Sequence, residues 1–391
     1  MAVASCPACN GTRLAEIYAL DAIPVQSCIL LDTEAAARDF PRAPLSLVFC
    51  DACGFVFNPR FDGSLVDYAS ATEESQHFSG TFNAFARSLV DEIATRHDLA
   101  GKTTVEIGCG KGDFLHELVS VTGTAGLGID PGFLLDRFVA ADDHAIAFRR
   151  EYFDPAALDM APDFVVCRHT LEHVPDVGRF VGDVGAFAAR KPGSVSFFET
   201  PNVERVLEEG AFWDIYYEHC SYFTLGSHAR LFRRQGMAVD HARLAYDGQY
   251  ILQYSSHGKD SGSVPAGQDD LERLRALAAS FPGKVARVRH HWSDFVRQRH
   301  ADGRRIAIWG GGSKGVSFLT STDIAGAIAQ VVDINPYKQG KYLPGTGHRV
   351  SAPDELLQAP PDTVIAMNPV YRNEIAARIA ELGLDCELVA V

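Results

Sequence analysis

Eleven consecutive residues, Trp213-Asp214-Ile215-Tyr216-Tyr217-Glu218-His219-Cys220-Ser221-Tyr222-Phe223, concentrate titratable side chains to an unusual degree. A histidine beside a glutamate, with phenols close by, can serve as a general base whose tautomer and charge its neighbours set. The bland alternative is a core histidine satisfied by hydrogen bonds. A second group is the glycine-rich turn Val105-Glu106-Ile107-Gly108-Cys109-Gly110-Lys111-Gly112-Asp113. Its glycines Gly108, Gly110 and Gly112 let the backbone approach a ligand closely. A carboxylate at Glu106 repels phosphate but suits an ammonium group. Asp130 follows Gly112 by 18 residues, at the end of the next expected strand, where a carboxylate would meet ribose hydroxyls. A third group, Ile306-Ala307-Ile308-Trp309-Gly310-Gly311-Gly312-Ser313-Lys314-Gly315, satisfies G-x-G-x-x-G at Gly310, Gly312 and Gly315, with Asp333 beyond it. Taken alone, that loop suggests a nicotinamide dinucleotide. Finally, Cys6-Pro-Ala-Cys9 and Cys50-Asp-Ala-Cys53 form two C-x2-C pairs separated by forty residues. Four thiolates so spaced can close a tetrahedral shell around Zn2+, and a closed shell is structural rather than catalytic.

The elements that must position these groups are readable from apolar periodicity. Short strands and turns surround the cysteine pairs in residues 1–75, with Val48–Cys50 and Gly54–Phe57 as the arms of a hairpin. Residues 76–254 alternate helices and apolar strands. A helix is expected over Phe82–His97, and strands over Thr103–Ile107, Gly126–Asp130, Phe164–Cys167 and Val195–Glu199. That alternation predicts a parallel sheet with helices on both faces. Residues 255–391 open on a Gly/Ser-rich linker over 255–270. A long helical stretch from Leu271 to His300 follows, with an expected break at Pro282-Gly283. A second α/β unit has strands at Arg305–Trp309, Gln330–Asp333, Thr363–Met367 and Glu387–Val391.

Composition narrows the function. The chain has 391 residues, 47% of them hydrophobic and 22% charged, with a net charge of −14. Nucleic-acid binding over a broad surface is disfavoured because phosphate contacts need Lys and Arg in excess. No apolar run is long enough for a membrane-spanning helix. The N-terminus lacks a basic-then-apolar signal pattern, so a cytoplasmic protein with reduced cysteines is expected.

The E-x-G-x-G-x-G turn, the segment Cys167-Arg168-His169-Thr170-Leu171-Glu172-His173 and the strand end Glu199-Thr200-Pro201-Asn202 together resemble class I S-adenosylmethionine-dependent methyltransferases. The resemblance implies a Rossmann-like fold. Glu106, Gly108, Gly110, Gly112, Asp130, His169 and Glu172 would hold S-adenosylmethionine. With the cysteine pairs and the C-terminal unit added, essentially the whole chain resembles the sugar C-methyltransferases that act on nucleotide-linked 4-keto-deoxy sugars in antibiotic biosynthesis. That family has an N-terminal zinc domain (Cys6, Cys9, Cys50, Cys53), a central methyltransferase domain and a C-terminal Rossmann-like domain. Its Tyr-His-Glu-His segment matches at Tyr216, Glu218 and His219, with Tyr217 replacing a histidine. By that resemblance His219 is the base, assisted by Tyr216 and Glu218, and Tyr68 stands for a tyrosine contributed from just after the zinc domain. Substrate contacts are expected from Tyr217, Tyr222, Ser313, Lys314, Asn335 and Lys338. The chain departs from the family at Tyr246-Asp247-Gly248-Gln249-Tyr250, so Asp247 and Gln249 are expected to face a substrate of differing identity.

The expected partner is a nucleotide-sugar-like small molecule, with no nucleic acid or membrane partner and a monomeric chain. An O- or N-methyltransferase on the same scaffold, a nicotinamide-dependent oxidoreductase using the 310–315 loop, and a non-catalytic sensor are the alternatives.

Overall fold

Apolar residues of the first fifty positions alternate along two long strands, β1 (Leu14–Pro24) and β2 (Arg42–Cys50), joined through a short helix α1 (Glu34–Arg38). In the computed structural model, which describes residues 5–69, 72–134, 145–258 and 267–391, these strands pair antiparallel from Leu14↔Cys50 to Pro24↔Arg42. The expected hairpin follows: β3 (Val56–Phe57) pairs with β2 through Val48↔Phe57 and Phe49↔Val56. Its turn carries the second cysteine pair.

Ser79 then caps α2 (Gly80–Arg96), accepting the Phe82 N–H. The buried residues Phe82, Ala86, Leu89, Val90 and Ile93 recur at helical spacing and fix its inner face. The central unit continues through β4 (Thr103–Ile107), α3 (Asp113–Thr122), β5 (Ala125–Ile129), β6 (Ile146–Arg149), β7 (Phe164–Arg168), α4 (Val177–Ala188) and β8 (Val195–Pro201). Next come α5 (Val203–Glu209), β9 (Ser221–Tyr222), α6 (Leu225–Arg234), β10 (Met237–Ala245) and β11 (Tyr250–His257). The sheet order is β10-β11-β8-β7-β4-β5-β6, parallel from β8 to β6, with β10 and β11 antiparallel at the other end. The chain moves outward from β4 to β6, then returns to β7 on the other side. This reversal opens a crevice at the carboxyl ends of β4, β5 and β7.

One short strand pairing and one long helix tie the units together. β9 comes from the tyrosine-rich segment yet pairs with β3 of the N-terminal sheet, through Val56↔Tyr222 and Phe57↔Ser221. The helix α7 (Leu271–Ala301) runs for 31 residues without the break expected at Pro282. Proline removes only its own N–H bond, and the stripe Leu274, Ala278, Phe281, Val285, Trp292 and Val296 buries on both sides of it. Packing against α5 and β1 keeps the helix whole. Of the expected linker, β11 extends through His257, and Asp270 is buried against Arg230 at 2.7 Å. Residues 259–266 lie outside the described residues. The last unit has β12 (Ile306–Trp309), α8 (Ser313–Thr320), β13 (Gln330–Val332), β14 (Val350–Ser351), β15 (Thr363–Ala366), α9 (Arg372–Glu381) and β16 (Glu387–Ala390). Its sheet, β14-β13-β12-β15-β16, is parallel throughout and has its own reversal beside β12. No helix among the described residues is long and apolar enough to cross a membrane.

Candidate active site

A cavity of about 960 Å³ lies where the three units meet, and both glycine-rich loops open into it. That volume is at the upper end for small-molecule sites.

On the first loop, Gly108 has φ +71, and a Cβ there would collide with the Thr170 hydroxyl of the loop after β7. Only glycine fits that approach. Asp130 accepts N–H bonds from Gly110 at 2.9 Å and Gly132 at 2.7 Å, which fixes its carboxylate at the crevice. Glu106 is buried, and its Oε2 has no hydrogen-bond partner among the described residues. Burial pushes this carboxyl up to about 8 against the pull of Arg168. An ammonium placed there would supply the missing partner, which suits the methionine end of S-adenosylmethionine. Gly112, with φ +85, starts α3 behind the loop and does not line the cavity.

Beneath the loop lies a buried ionic group. Glu199 holds Arg168 at 2.5 Å and His169 Nε2 at 3.1 Å, while His169 Nδ1 lies 3.4 Å from Glu172. Burial alone would raise Glu199, but the two cations hold it down at about 2. Burial likewise opposes a charge on His169, and the two carboxylates overcome it, bringing the ring up to about 9. His169 is therefore a fixed imidazolium at neutral pH. Glu172 keeps one buried oxygen without a hydrogen-bond partner among the described residues.

The tyrosine-rich segment forms the wall between the two loops. His219 is half-buried, with its ring centroid 4.7 Å from Tyr216 and 4.8 Å from His173. Burial first, then the nearby His173, His169 and Lys314, hold its pKa well below 6.5. It is neutral and able to accept a proton. Tyr216 donates to Asp214 at 3.0 Å, and Asp214 also pairs with Arg205 and Lys314. Tyr222 is buried, and its hydroxyl bonds to the backbone of Tyr216. Tyr68 reaches the same wall, 3.2 Å from His173 Nδ1. Glu218 turns toward the N-terminal unit, where Ser27 N–H donates to its Oε1 at 2.9 Å.

On the second loop, Ser313 begins α8, and Lys314 is spent on Asp214. Asp333 accepts the Gly311 N–H at 2.8 Å and lies 3.7 Å from Lys338. Asn335 lines the cavity, but its amide is committed to Glu73 Oε1 at 3.0 Å and the Ser75 carbonyl at 3.3 Å. Gln249 also lines it and forms a reciprocal amide pair with Asn368, both bonds 3.0 Å.

Two expected substrate contacts do not reach the cavity. Tyr217 is fully buried against Phe61, and its hydroxyl accepts the Asp62 N–H at 2.9 Å. The chain bends at Tyr217 and Glu218, and Tyr216 lines the cavity while Tyr217 packs away from it. Asp247 sits exposed in the turn between β10 and β11, with φ +56. Conversely, the cavity wall includes residues the sequence reading passed over. Gln26 and Cys28 follow β1, and Glu151, Tyr152 and Phe153 follow β6. His173 was visible inside the quoted Leu-Glu-His run, but its place beside His219 depends on the fold.

Away from the cavity, Cys6, Cys9, Cys50 and Cys53 bring their sulfurs together, with Cys6–Cys53 at 3.7 Å and Cys9–Cys50 at 3.6 Å. Tetrahedral Zn–S bonds of about 2.3 Å put sulfurs about 3.8 Å apart, so the four positions suit that ion.

Residues 78–242 match the family model described as a methyltransferase domain. The chain is an S-adenosylmethionine-dependent methyltransferase. Residues 267–385 match the model described as a C-methyltransferase C-terminal domain. The chain is also 27% identical to the C-methyltransferase NovU of Streptomyces niveus over 95% of its length and 90% of that protein's. The two domain matches and this full-length likeness together support a C-methyltransferase of that domain organisation. A ubiquinone biosynthesis O-methyltransferase of Methylococcus capsulatus is 35% identical over 28% of this chain and 48% of its own. A solved magnesium protoporphyrin IX methyltransferase from Synechocystis PCC 6803 aligns with 46% of this chain and 84% of its own, at 14% identity and a TM-score of 0.36.

Proposed function

We propose that the protein methylates a carbon next to the ketone of a nucleotide-activated deoxysugar, with His219 as the base. The observation that carries this reading is one cavity lined by both glycine-rich loops, with the His219 wall between them. S-adenosylmethionine, when bound, supplies an electrophilic methyl group. Glu106 and Asp130 would hold its ammonium and ribose, with the backbone at Gly108 and Gly110 beside them.

A carbon next to a ketone becomes nucleophilic only when its proton leaves. His219, neutral in the free protein, offers a lone pair for that proton; burial and the neighbouring cations weaken it as a base, and the negative charge developing on the substrate would offset them. The developing enolate oxygen needs hydrogen-bond donors that are already in place. Tyr68 is a phenol whose burial keeps it protonated, so it can donate, while the Tyr216 proton is held by Asp214 and Tyr216 positions the His219 ring beside it. Lys338 and the Ser313 backbone N–H would meet the diphosphate on the second loop, with Lys314 held beside them by Asp214. The N-terminus of α8 adds favourable backbone N–H groups. Tyr222 and Gln249 would bound the sugar, and the exposed Asp247 and buried Tyr217 have no part in it. The cysteine cluster is read as a structural Zn2+ site that clamps β2, β3 and the N-terminal turn.

Incubation with S-adenosylmethionine and a panel of sugar nucleotides tests the reading by mass detection of one added CH2. Deuterium exchange at the substrate carbon separates carbon from oxygen or nitrogen methylation, since only the former breaks that C–H bond. Methyl transfer to a substrate that keeps all the deuterium placed at that carbon would refute carbon methylation and with it the base role of His219.

A further inference from the structure

Glu218 presents a buried contradiction. Its Oε1 accepts two bonds from one residue, the Ser27 N–H and the Ser27 hydroxyl, whereas its Oε2 is buried with no hydrogen-bond partner among the described residues. A buried carboxylate oxygen without a donor is destabilising, and such atoms mark places where a ligand group belongs. Glu218 lines the cavity, so the missing donor would come from there. Ser27 has a further contact: its hydroxyl oxygen lies 2.7 Å from Ser313 Oγ, at the start of α8 on the second glycine-rich loop. A serine hydroxyl has one proton. With that proton on the carboxylate, the bond to Ser313 must run the other way, from the Ser313 hydroxyl to Ser27 Oγ. The line Glu218–Ser27–Ser313 therefore crosses all three units.

We infer that Ser27 is a positioning residue: it pins one oxygen of Glu218 so that the other faces the cavity to accept a substrate hydroxyl, and it ties that orientation to the second glycine-rich loop through Ser313. The inference rests on the sugar-nucleotide reading, since a deoxysugar supplies hydroxyl donors and a diphosphate would engage the Ser313 backbone N–H at the start of α8. Lacking its own hydroxyl, a Ser27→Ala protein would leave Glu218 with the backbone N–H alone. The remaining groups facing Glu218 are His173, which favours its charge, and Tyr68, Tyr222, Cys28 and the adjacent His219. Burial already raises the Glu218 carboxyl and the Ser27 bonds oppose that rise, so losing the hydroxyl bond moves its titration upward.

The test compares wild type, Ser27→Ala and Ser27→Thr, with S-adenosylmethionine affinity as the check on folding. Glu218 protonation is read without substrate, by infrared difference against Glu218→Gln. The expected result is an upward shift of about one pH unit in Ser27→Ala, with Ser27→Thr close to wild type. With substrate, kcat of Ser27→Ala falls about tenfold to a hundredfold, and the acid limb of its pH profile moves upward with the infrared titration. An unmoved titration in Ser27→Ala overturns the inference whatever the substrate. A moved titration with no methylation of any sugar nucleotide by the wild type would keep the Ser27–Glu218 tie and remove the sugar reading. A lower kcat with an unmoved acid limb would reduce Ser27 to a structural role.

Discussion

Replacing Glu106 with glutamine should stabilise the free protein while abolishing donor binding, and the stabilisation should grow with pH. The carboxyl is raised from the ordinary 4.5 to about 8 by burial. A carboxyl raised in the folded state favours folding only while protonated. Folding stability is therefore lost as pH climbs from the unfolded value toward the folded one. Linkage gives a penalty of about 1 kcal/mol near pH 5.5 and about 4 kcal/mol near pH 7.5. Glutamine carries no charge at either pH, and any packing or hydrogen-bond effect of its amide is common to both. The gain of Glu106→Gln over wild type should then widen by up to about 3 kcal/mol across that interval. At roughly 2–4 °C per kcal/mol for a domain of this size, a widening of about 5 °C or more in Tm is expected. Calorimetry at the two pH values, with and without S-adenosylmethionine, is the assay. Wild type should gain Tm with the donor and Glu106→Gln should not. A Tm gap that stays flat with pH, or a variant that binds the donor as wild type does, would refute the account of Glu106.

His219→Ala should bind S-adenosylmethionine as wild type does, by calorimetric titration, while methyl transfer falls by about 10²–10⁴-fold, the usual worth of a positioned base. Cys53→Ser should remove the metal, read as loss of about one Zn2+ per chain by elemental analysis, and lower Tm, because a tetrahedral thiolate shell contributes folding energy directly. Tyr217→Phe should lose the bond from the Asp62 N–H and about 1 kcal/mol of stability with KM unchanged; a raised KM would return Tyr217 to the cavity.

Much of the fold was legible because its signals are local. The strands at Thr103–Ile107 and Thr363–Ala366 are short β-rich runs bounded by breakers, and their limits agree with expectation to within a residue. The helix α7 shows the limit of such signals: Pro282 predicts a break, yet a buried stripe on both sides overrides it. Choosing between Tyr216 and Tyr217 also failed locally. Both are tyrosines in one segment, and contacts distant in sequence separate them: Phe61 and the Asp62 N–H hold Tyr217 away from the cavity that Tyr216 lines.

By itself the sequence determined the chemistry available: a carboxylate ahead of a glycine turn, a histidine among phenols, a second glycine-rich loop and four spaced thiols. Those features depend on residue type and short spacing, which the linear chain carries intact. Tertiary structure alone decided which groups meet. Ser27 reaches Glu218 across 191 positions, and Ser313 across 286. Such contacts arise when the N-terminal and C-terminal units pack on α7 and β9 joins the N-terminal sheet, and no local pattern of residues encodes them. The same packing strips water from Glu106, Glu218 and His219, and that loss of water, more than the identity of the residues, sets the charge each one carries.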